Sequence, residues 1–288
     1  MKTITHQEFG GERPLYKSED MQLRQVTIHA GESSLKECRR IEAEDCRFEG
    51  KYVFWENEGV VCRNCYFAPS ARSSVWYSRN IRYQDCRIDA PKMFRRAHHI
   101  ALENVEIAHG EETFWDCSDV QLKNVKTAEA DYLFMHTTDI RIEDYRQDGN
   151  YSFQYAKRVE IRNTVINSKD SFWESEDCTL TDCEINGEYL GWYAKRLRLV
   201  RCHITGTQPL CYCEDLVLED CTFGDDADLA MEYSTVQAVI RGRIHSIKNP
   251  TSGNIYAEEI GELIMDQNQK QPADCKINYD RICKPAGV

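Results

Sequence analysis

The sequence repeats itself every 19–21 residues, and that period constrains the fold more than any other feature. The segments IEAEDCRF (41–48), IRYQDCRI (81–88), IALENVEI (100–107), CTLTDCEI (178–185), LRLVRCHI (197–204) and LVLEDCTF (216–223) share one pattern. It reads apolar-x-apolar-x-Asp/Asn-Cys/Val-x-apolar. Eleven copies begin at 21, 41, 60, 81, 100, 120, 140, 159, 178, 197 and 216. The first and third positions alternate with charged residues such as Glu42, Arg82, Arg141 and Arg198, the period-2 signature of a strand. A second short strand carries Cys46 or Val105, then Phe48 or Ile107. Six residues before each start lies a third apolar column that includes Phe54, Val75, Phe94, Phe114, Phe134, Phe153 and Phe172. Three strands in so short a period leave no room for a helix. One repeat is therefore one coil of a parallel β-helix, with like strands stacked at roughly 4.8 Å. A leucine-rich repeat has a similar period but needs a helical arm and a leucine spacing that are missing. The expected architecture is all-β: a single-domain parallel β-helix of about eleven or twelve coils over 21–265, with 1–20 as an N-terminal cap and 266–288 as a polar C-terminal tail or cap.

Two columns look chemical but read as structural. Position five of the repeat holds Asp45, Asn64, Asp85, Asn104, Asn124, Asp144, Asn163, Asp182 and Asp220. The chain must bend there, and Asp and Asn tolerate the left-handed conformation, so this is a corner ladder. Cys46, Cys65, Cys86, Cys183, Cys202 and Cys221 share one inward column, and Cys38, Cys117 and Cys213 share another. Buried free Cys behaves as a small hydrophobe. Cys62 and Cys65 form a C-x-x-C, but their phases place both inside, and no second C-x-x-C completes a zinc site. No metal and no cofactor are expected.

Composition narrows the partners. The chain carries 36 basic and 48 acidic residues, a formal net charge of −12. That disfavours nucleic acid and anionic membrane surfaces, which reward basic patches. No apolar run reaches membrane-span length, and the N-terminal segment has no signal-like apolar stretch. Fourteen Cys without an export signal point to reduced thiols in the cytoplasm.

The stacked coils resemble the pectin-lyase-like right-handed β-helix superfamily. More narrowly, GERPLY (11–16), APKMFR (90–95), GNYSFQY (149–155), SKDSFWE (168–174), GEYLGW (187–192), GTQPLCY (206–212) and IKNP (247–250) resemble a bacterial family of about this length whose function is unassigned. The resemblance implies a right-handed β-helix and no particular activity. The wider superfamily contains polysaccharide lyases, glycoside hydrolases and esterases, but their catalytic signatures and long cleft-building loops have no match here.

Solenoids tend to work through one long face. The residue after the Phe column reads Trp55, Trp76, Arg95, Trp115, Met135, Gln154, Trp173 and Trp192. The next column reads Glu56, Tyr77, Arg96, Asp116, His136, Tyr155, Glu174 and Tyr193. If Phe points inward along a strand, its neighbour points outward. All five Trp would then line one face, about 29 Å long from Trp55 to Trp173, enough for several sugar units. Substrate-binding candidates are Trp55, Trp76, Arg95, Trp115, Tyr155, Trp173, Trp192 and Tyr193. Packing near a corner and burial against a second copy are the competing readings of the same tryptophans.

Catalytic candidates are Asp116, His136, Arg96 and Glu174. Asp116 beside His136 could orient an imidazole for acid–base work, with Arg96 stabilising an anion. A surface ion-pair network explains the same residues. Glu56 and Asp116, or Asp116 and Glu174, lie three coils apart, about 14 Å, beyond the ~5–9.5 Å that separates paired glycosidase carboxylates. Asp170 could approach Glu174 more closely. No nucleophile elbow or phosphate loop is present, and His98 and His99, adjacent on a strand, should face opposite sides. The reading is a carbohydrate-related protein, glycan-binding or glycan-active. The alternative is a non-catalytic scaffold that self-associates through the same face.

Overall fold

The computed structural model describes residues 1–267 and 274–284. Every described element is a β-strand, and the strand pairs are parallel. The chain is an all-β parallel solenoid that forms two compact units, Met1–Asp148 and Gly149–Val288. The first unit contains eight turns, whose leading strands begin at Lys2, Glu19, Arg39, Glu58, Arg79, His98, Ser118 and Thr138. The second contains seven, beginning at Lys157, Glu176, Lys195, Leu216, Thr235, Ser252 and Asp274. Fifteen turns exceed the expected eleven or twelve. The extra ones lie toward the termini. Lys2–Thr5 and Asp274–Lys284 lead the outermost described turns and have thin apolar columns, while Thr235–Lys248 and Ser252–Ile264 lead fully flanked turns whose repeat pattern departs from the Asp/Asn-Cys form. Ile4 is the sole buried residue of strand Lys2–Thr5, and strand Asp274–Lys284 has none. Residues 1–20, the expected cap, carry strands Lys2–Thr5 and Glu8–Glu12, which pair with Glu19–Arg24 and Thr27–Glu32. Of the tail, Asp274–Lys284 pairs with Ser252–Ile264. Residues 268–273 and 285–288 lie outside the described residues.

Register is maintained from turn to turn. In the first unit Ile41, Val60, Ile81, Ile100, Val120 and Ile140 sit directly above one another, all buried. In the second, Cys178 pairs with Leu197, and Leu199 with Leu218. Phe94, Phe114 and Phe134 form a second buried stack with ring centroids 4.8 Å apart, and Phe153 lies 4.6 Å from Phe172. That spacing is the distance between hydrogen-bonded strands, so each ring packs on the same ring of the next turn.

The corners are left-handed. At position five of the repeat, Gln25, Asp45, Asn64, Asp85, Asn104, Asn124, Asp144, Asn163, Asp182, Arg201 and Asp220 all have φ between 49° and 55°. The bent residue's amide is not orphaned: Asp45 N donates to Arg63 O at 3.1 Å and Asn64 N to Gln84 O at 3.0 Å. Side chains at this corner bond along the column, Asn64 Nδ2 to Asp45 Oδ1 at 2.5 Å and Asn104 Nδ2 to Asp85 Oδ1 at 2.9 Å. The cysteine that follows donates its thiol to a carbonyl two residues back. Cys46 Sγ reaches Glu44 O at 3.2 Å, and Cys86 Sγ reaches Gln84 O at 3.2 Å. All fourteen cysteines are free, and twelve are buried. Burial pushes the Cys117 thiol up to about 12, the behaviour of an inert core side chain.

One expectation is corrected. The Phe column does not lie on a regular third strand. Among the described residues only Val75–Trp76 and Phe94–Arg95 form strands there, each two residues long. Elsewhere this side of the coil is a run of turns, in which Phe114, Phe134, Phe153 and Phe172 themselves have φ near 60°. Period-2 alternation therefore fails, and Val53 and Phe54, or Leu133 and Phe134, are buried consecutively.

Two outcomes follow. Phe114→Ala removes the middle ring of a stack, and should destabilise the protein by about 3–5 kcal/mol in denaturant titration. His29 bridges turns, with Nε2 2.9 Å from Glu8 and Nδ1 3.3 Å from Glu49, and these carboxylates raise its pKa above the usual histidine value. A raised histidine contributes stability that is complete below the unfolded-state value and is lost as pH rises through the folded value. Amide-exchange protection of Glu8–Glu12 should fall across that window on the alkaline side of the ordinary histidine pKa, and the pH dependence should vanish in His29→Gln.

Candidate functional site: aromatic and charged columns

In the first unit, the column after the buried Phe residues is a stack bound into the fold. The Trp55 and Trp76 rings lie 5.1 Å apart at 28°. The Arg95 guanidinium sits 4.5 Å from the Trp76 ring on one side and 4.5 Å from the Trp115 ring on the other. Trp76 is thus covered on both faces and offers a ligand only its edge. The indole N–H groups are also engaged. Trp76 Nε1 donates to Lys92 O at 2.8 Å, and Trp115 Nε1 to Tyr132 O at 2.5 Å. Arg95 Nη2 donates to Glu112 Oε2 at 3.1 Å, and Glu112 also takes Lys92 Nζ at 2.9 Å. Trp55, Trp76, Arg95 and Trp115 are half-buried, intermediate between the outward and the packed readings.

The next column sits at a left-handed corner. Glu56, Tyr77, Arg96, Asp116 and His136 have φ between 48° and 60°. All five are exposed. Arg96 pairs with Asp116 at 3.7 Å and lies 5.9 Å from the Tyr77 ring. His136 follows one turn beyond Asp116, whose amide donates to Met135 O at 3.0 Å. The structure brings Arg96, Asp116 and His136 to successive positions, with Arg96 paired to Asp116.

Two residues further along the chain, a strand-leading column reads Glu19, Arg39, Glu58, Arg79 and His98. Arg39 lies 3.2 Å from Glu58, and Arg79 2.8 Å from the same carboxylate. Between the two columns runs a groove of about 840 Å³ with buried Asn57 and Ser78 in its floor. Sequence reasoning passed over this feature because alternating charge looks like a solvated face. The signal available was the strict turn-to-turn alternation Glu–Arg–Glu–Arg. His98 and His99 are both exposed, bonding to Ser118 at 2.7 Å and Asp119 at 2.8 Å, because His99 occupies a left-handed corner (φ 57°) and escapes strand alternation.

In the second unit the tryptophans are half-buried, as in the first. Trp173 and Trp192 stack at 5.5 Å, and Trp192 Nε1 donates to Gln208 O at 2.8 Å. Trp173 Nε1 donates to Glu174 Oε1 at 3.3 Å. Tyr193 lies 4.8 Å from Tyr212 at 14°, and Tyr212 lies 5.7 Å from Tyr233. Tyr193 is 43% exposed. Tyr155 and Glu174 occupy the same corner position, with φ 58° and 49°. Asp170 is held above the usual aspartate range, chiefly by burial. Among the described residues no group of three or more His, Cys, Asp or Glu is arranged to hold a metal ion, and no helix is long and apolar enough to cross a membrane.

These columns define a parallel β-solenoid with ordered outward ladders. Residues 2–278 match the family described as "Protein of unknown function (DUF3737)", and the chain belongs to that family. No curated protein matches it in sequence. Among solved structures it is similar to the mannuronan C-5 epimerase AlgE6 A-module of Azotobacter vinelandii, at 10% identity and TM-score 0.34, over 99% of this chain and 91% of that one. It is also similar to QnrB1, a plasmid-mediated fluoroquinolone resistance protein, at 10% identity and TM-score 0.23, over 82% and 92% of the two chains. A third is HetL, a pentapeptide repeat protein from a Nostoc cyanobacterium, at 8% identity and TM-score 0.25, over 82% and 84%. Such identities and scores carry no argument about function.

The Arg95 sandwich gives a direct test. Arg95→Gln keeps a polar group but removes the cation between two indoles, and should cost about 1–3 kcal/mol in thermal or chemical unfolding. The near-ultraviolet signal of Trp76 and Trp115 should weaken while the far-ultraviolet spectrum is retained.

Proposed function

We propose that the chain is a binding module for an extended carbohydrate, working through the aromatic column of its second unit. The observation that carries this reading is the Tyr193–Tyr212–Tyr233 ladder beside Trp173 and Trp192. The ladder spaces its rings 4.8 Å apart between Tyr193 and Tyr212 and 5.7 Å apart between Tyr212 and Tyr233, comparable to the length of one hexose unit. A polymer with a matching repeat gains the same contact at each step, and aromatic edges with neighbouring carboxylates suit sugar C–H and O–H groups. Fourteen free thiols favour a reducing compartment, and we assign the protein to the cytoplasm on that basis.

Fluorescence titration against a panel of neutral and acidic oligosaccharides tests the reading, with sedimentation velocity on the same samples. Tyr193→Ala and Trp173→Ala should each weaken binding about fivefold to tenfold, a loss of roughly 1–1.4 kcal/mol. Asp116→Asn should leave affinity unchanged. If no glycan binds, and Tyr193→Ala instead converts an oligomer to a monomer, the same patch is a self-association surface and the carbohydrate reading is wrong.

A further inference from the structure

The buried thiols of the first unit form a cluster unrelated to the carbohydrate reading. Cys46, Cys65 and Cys86 stack in consecutive turns, held by backbone bonds from Tyr66 N to Cys46 O at 2.9 Å and from Arg87 N to Cys65 O at 3.0 Å. Their Cα atoms are thus about 4.8 Å apart, inside the range that a disulfide spans. Cys62 adds a fourth thiol from across the left-handed corner at Asn64. Cys65 is the hub, its thiol within hydrogen-bonding reach of Cys46, Cys62 and Cys86. By donating, it holds the Cys86 thiol below the ordinary cysteine value. Cys117, in the other cysteine column, is pushed the opposite way by burial.

One polar group in this cluster is unspent. Tyr83 is 0% exposed, pairs in register with Cys62 and lies three residues before Cys86. Its ring packs against Phe67 at 5.2 Å and Phe94 at 5.9 Å, and its hydroxyl has no hydrogen-bond partner. The corresponding positions hold Ala43 in the turn of Cys46, and Leu180, Leu199 and Leu218 in the turns of Cys183, Cys202 and Cys221. The second cysteine ladder therefore repeats the spacing without the phenol.

We propose that Cys86 and Cys65 form a peroxide-reactive pair, with Tyr83 as the hydrogen-bond donor to the oxygen left on Cys86. The Cys86 thiolate attacks one oxygen of hydrogen peroxide, the O–O bond breaks, and the departing hydroxide takes up a proton to become water. Cys86 is then a sulfenic acid, and its oxygen is the acceptor that the Tyr83 hydroxyl lacks. Cys65 attacks the sulfenyl sulfur, the S–O bond breaks, and the hydroxide leaves with the Cys65 proton as a second water. Two thiols lose two electrons to the peroxide and become one disulfide. Cys86 is 4% exposed and lies directly behind the exposed corner at Asp85, the side from which a reactant little larger than water arrives.

Treatment of the full chain with one equivalent of hydrogen peroxide, followed by alkylation and non-reduced peptide mapping, tests this. A Cys65–Cys86 link, reversed by dithiothreitol, should form at least tenfold faster than any link among Cys183, Cys202 and Cys221. Tyr83→Phe should slow it at least fivefold while melting stays at or above wild type, because the removed hydroxyl has no partner in the reduced protein. Cys65→Val, which installs the residue that Val105 and Val125 supply in the same column, should leave a sulfenic acid on Cys86 that dimedone captures. No intramolecular link, a first link elsewhere, oxidation of the second ladder at an equal rate, or an unchanged rate in Tyr83→Phe would each overturn the proposal.

Discussion

The parallel hydrogen-bond ladder between successive turns is the constraint on which the rest of each unit depends. It holds equivalent residues about one strand spacing apart, so any side chain meets its own counterpart above and below. A favourable self-contact is repeated along the column, and so is an unfavourable one. Phe94, Phe114 and Phe134 profit from this because their rings stack at 4.8 Å with interplanar angles of 2° and 5°. Left-handed corners, each unfavourable for a non-glycine residue, persist because the next turn's carbonyl receives the bent residue's amide.

The same rule makes like charge costly, since identical charges directly opposite one another repel. The outward columns avoid it by alternation. Glu19, Arg39, Glu58 and Arg79 follow one another in a strand-leading column, joined by contacts of 3.9, 3.2 and 2.8 Å. At the corner, Asp45 is followed by Asn64 and Asp85 by Asn104, so an amide donates where a second carboxylate would repel. In the second unit an arginine does this work: Arg201 pairs with Asp182 and Arg241 with Asp220, both at 2.7 Å. A shift of one turn would place like charges together, so these ladders oppose misregistered stacking. A chain of net charge −12 thereby forms long columns with few facing carboxylates.

The aromatic side chains follow the ladder too, with different outcomes in the two units. In the first, an arginine between two tryptophans closes the ring faces, and the column becomes part of the packing. In the second, Tyr193 and Tyr212 stack at 14° and Tyr212 lies tilted at 34° to Tyr233, with Tyr193 the exposed member of the three. Residue type alone did not separate these cases. Trp55, Trp76 and Trp173 occupy the same repeat phase; Trp55 and Trp173 each stack on a tryptophan of the next turn, whereas Trp76 meets Arg95.

The period, the inward Ile/Val/Leu columns, the buried thiols and the bent Asp/Asn corner were legible in the sequence, because each depends on spacing along one repeat. The solenoid followed from arithmetic on copies such as IRYQDCRI and IALENVEI. The outermost turns were not legible, because a turn with one neighbour buries too little to show an apolar column, as Ile4 alone in its strand illustrates. The Phe side was misread as strand because consecutive burial of Val53 and Phe54 depends on left-handed turns that no propensity marks. The candidate site was half legible. Its columns could be written from the sequence, but which ring faces are covered, which carboxylates are paired and where a groove opens depend on contacts between residues about twenty positions apart. Only the stacked tertiary structure fixes those contacts, since the distance between turns and the rotation of each corner are set by the hydrogen-bond ladder and not by any single repeat.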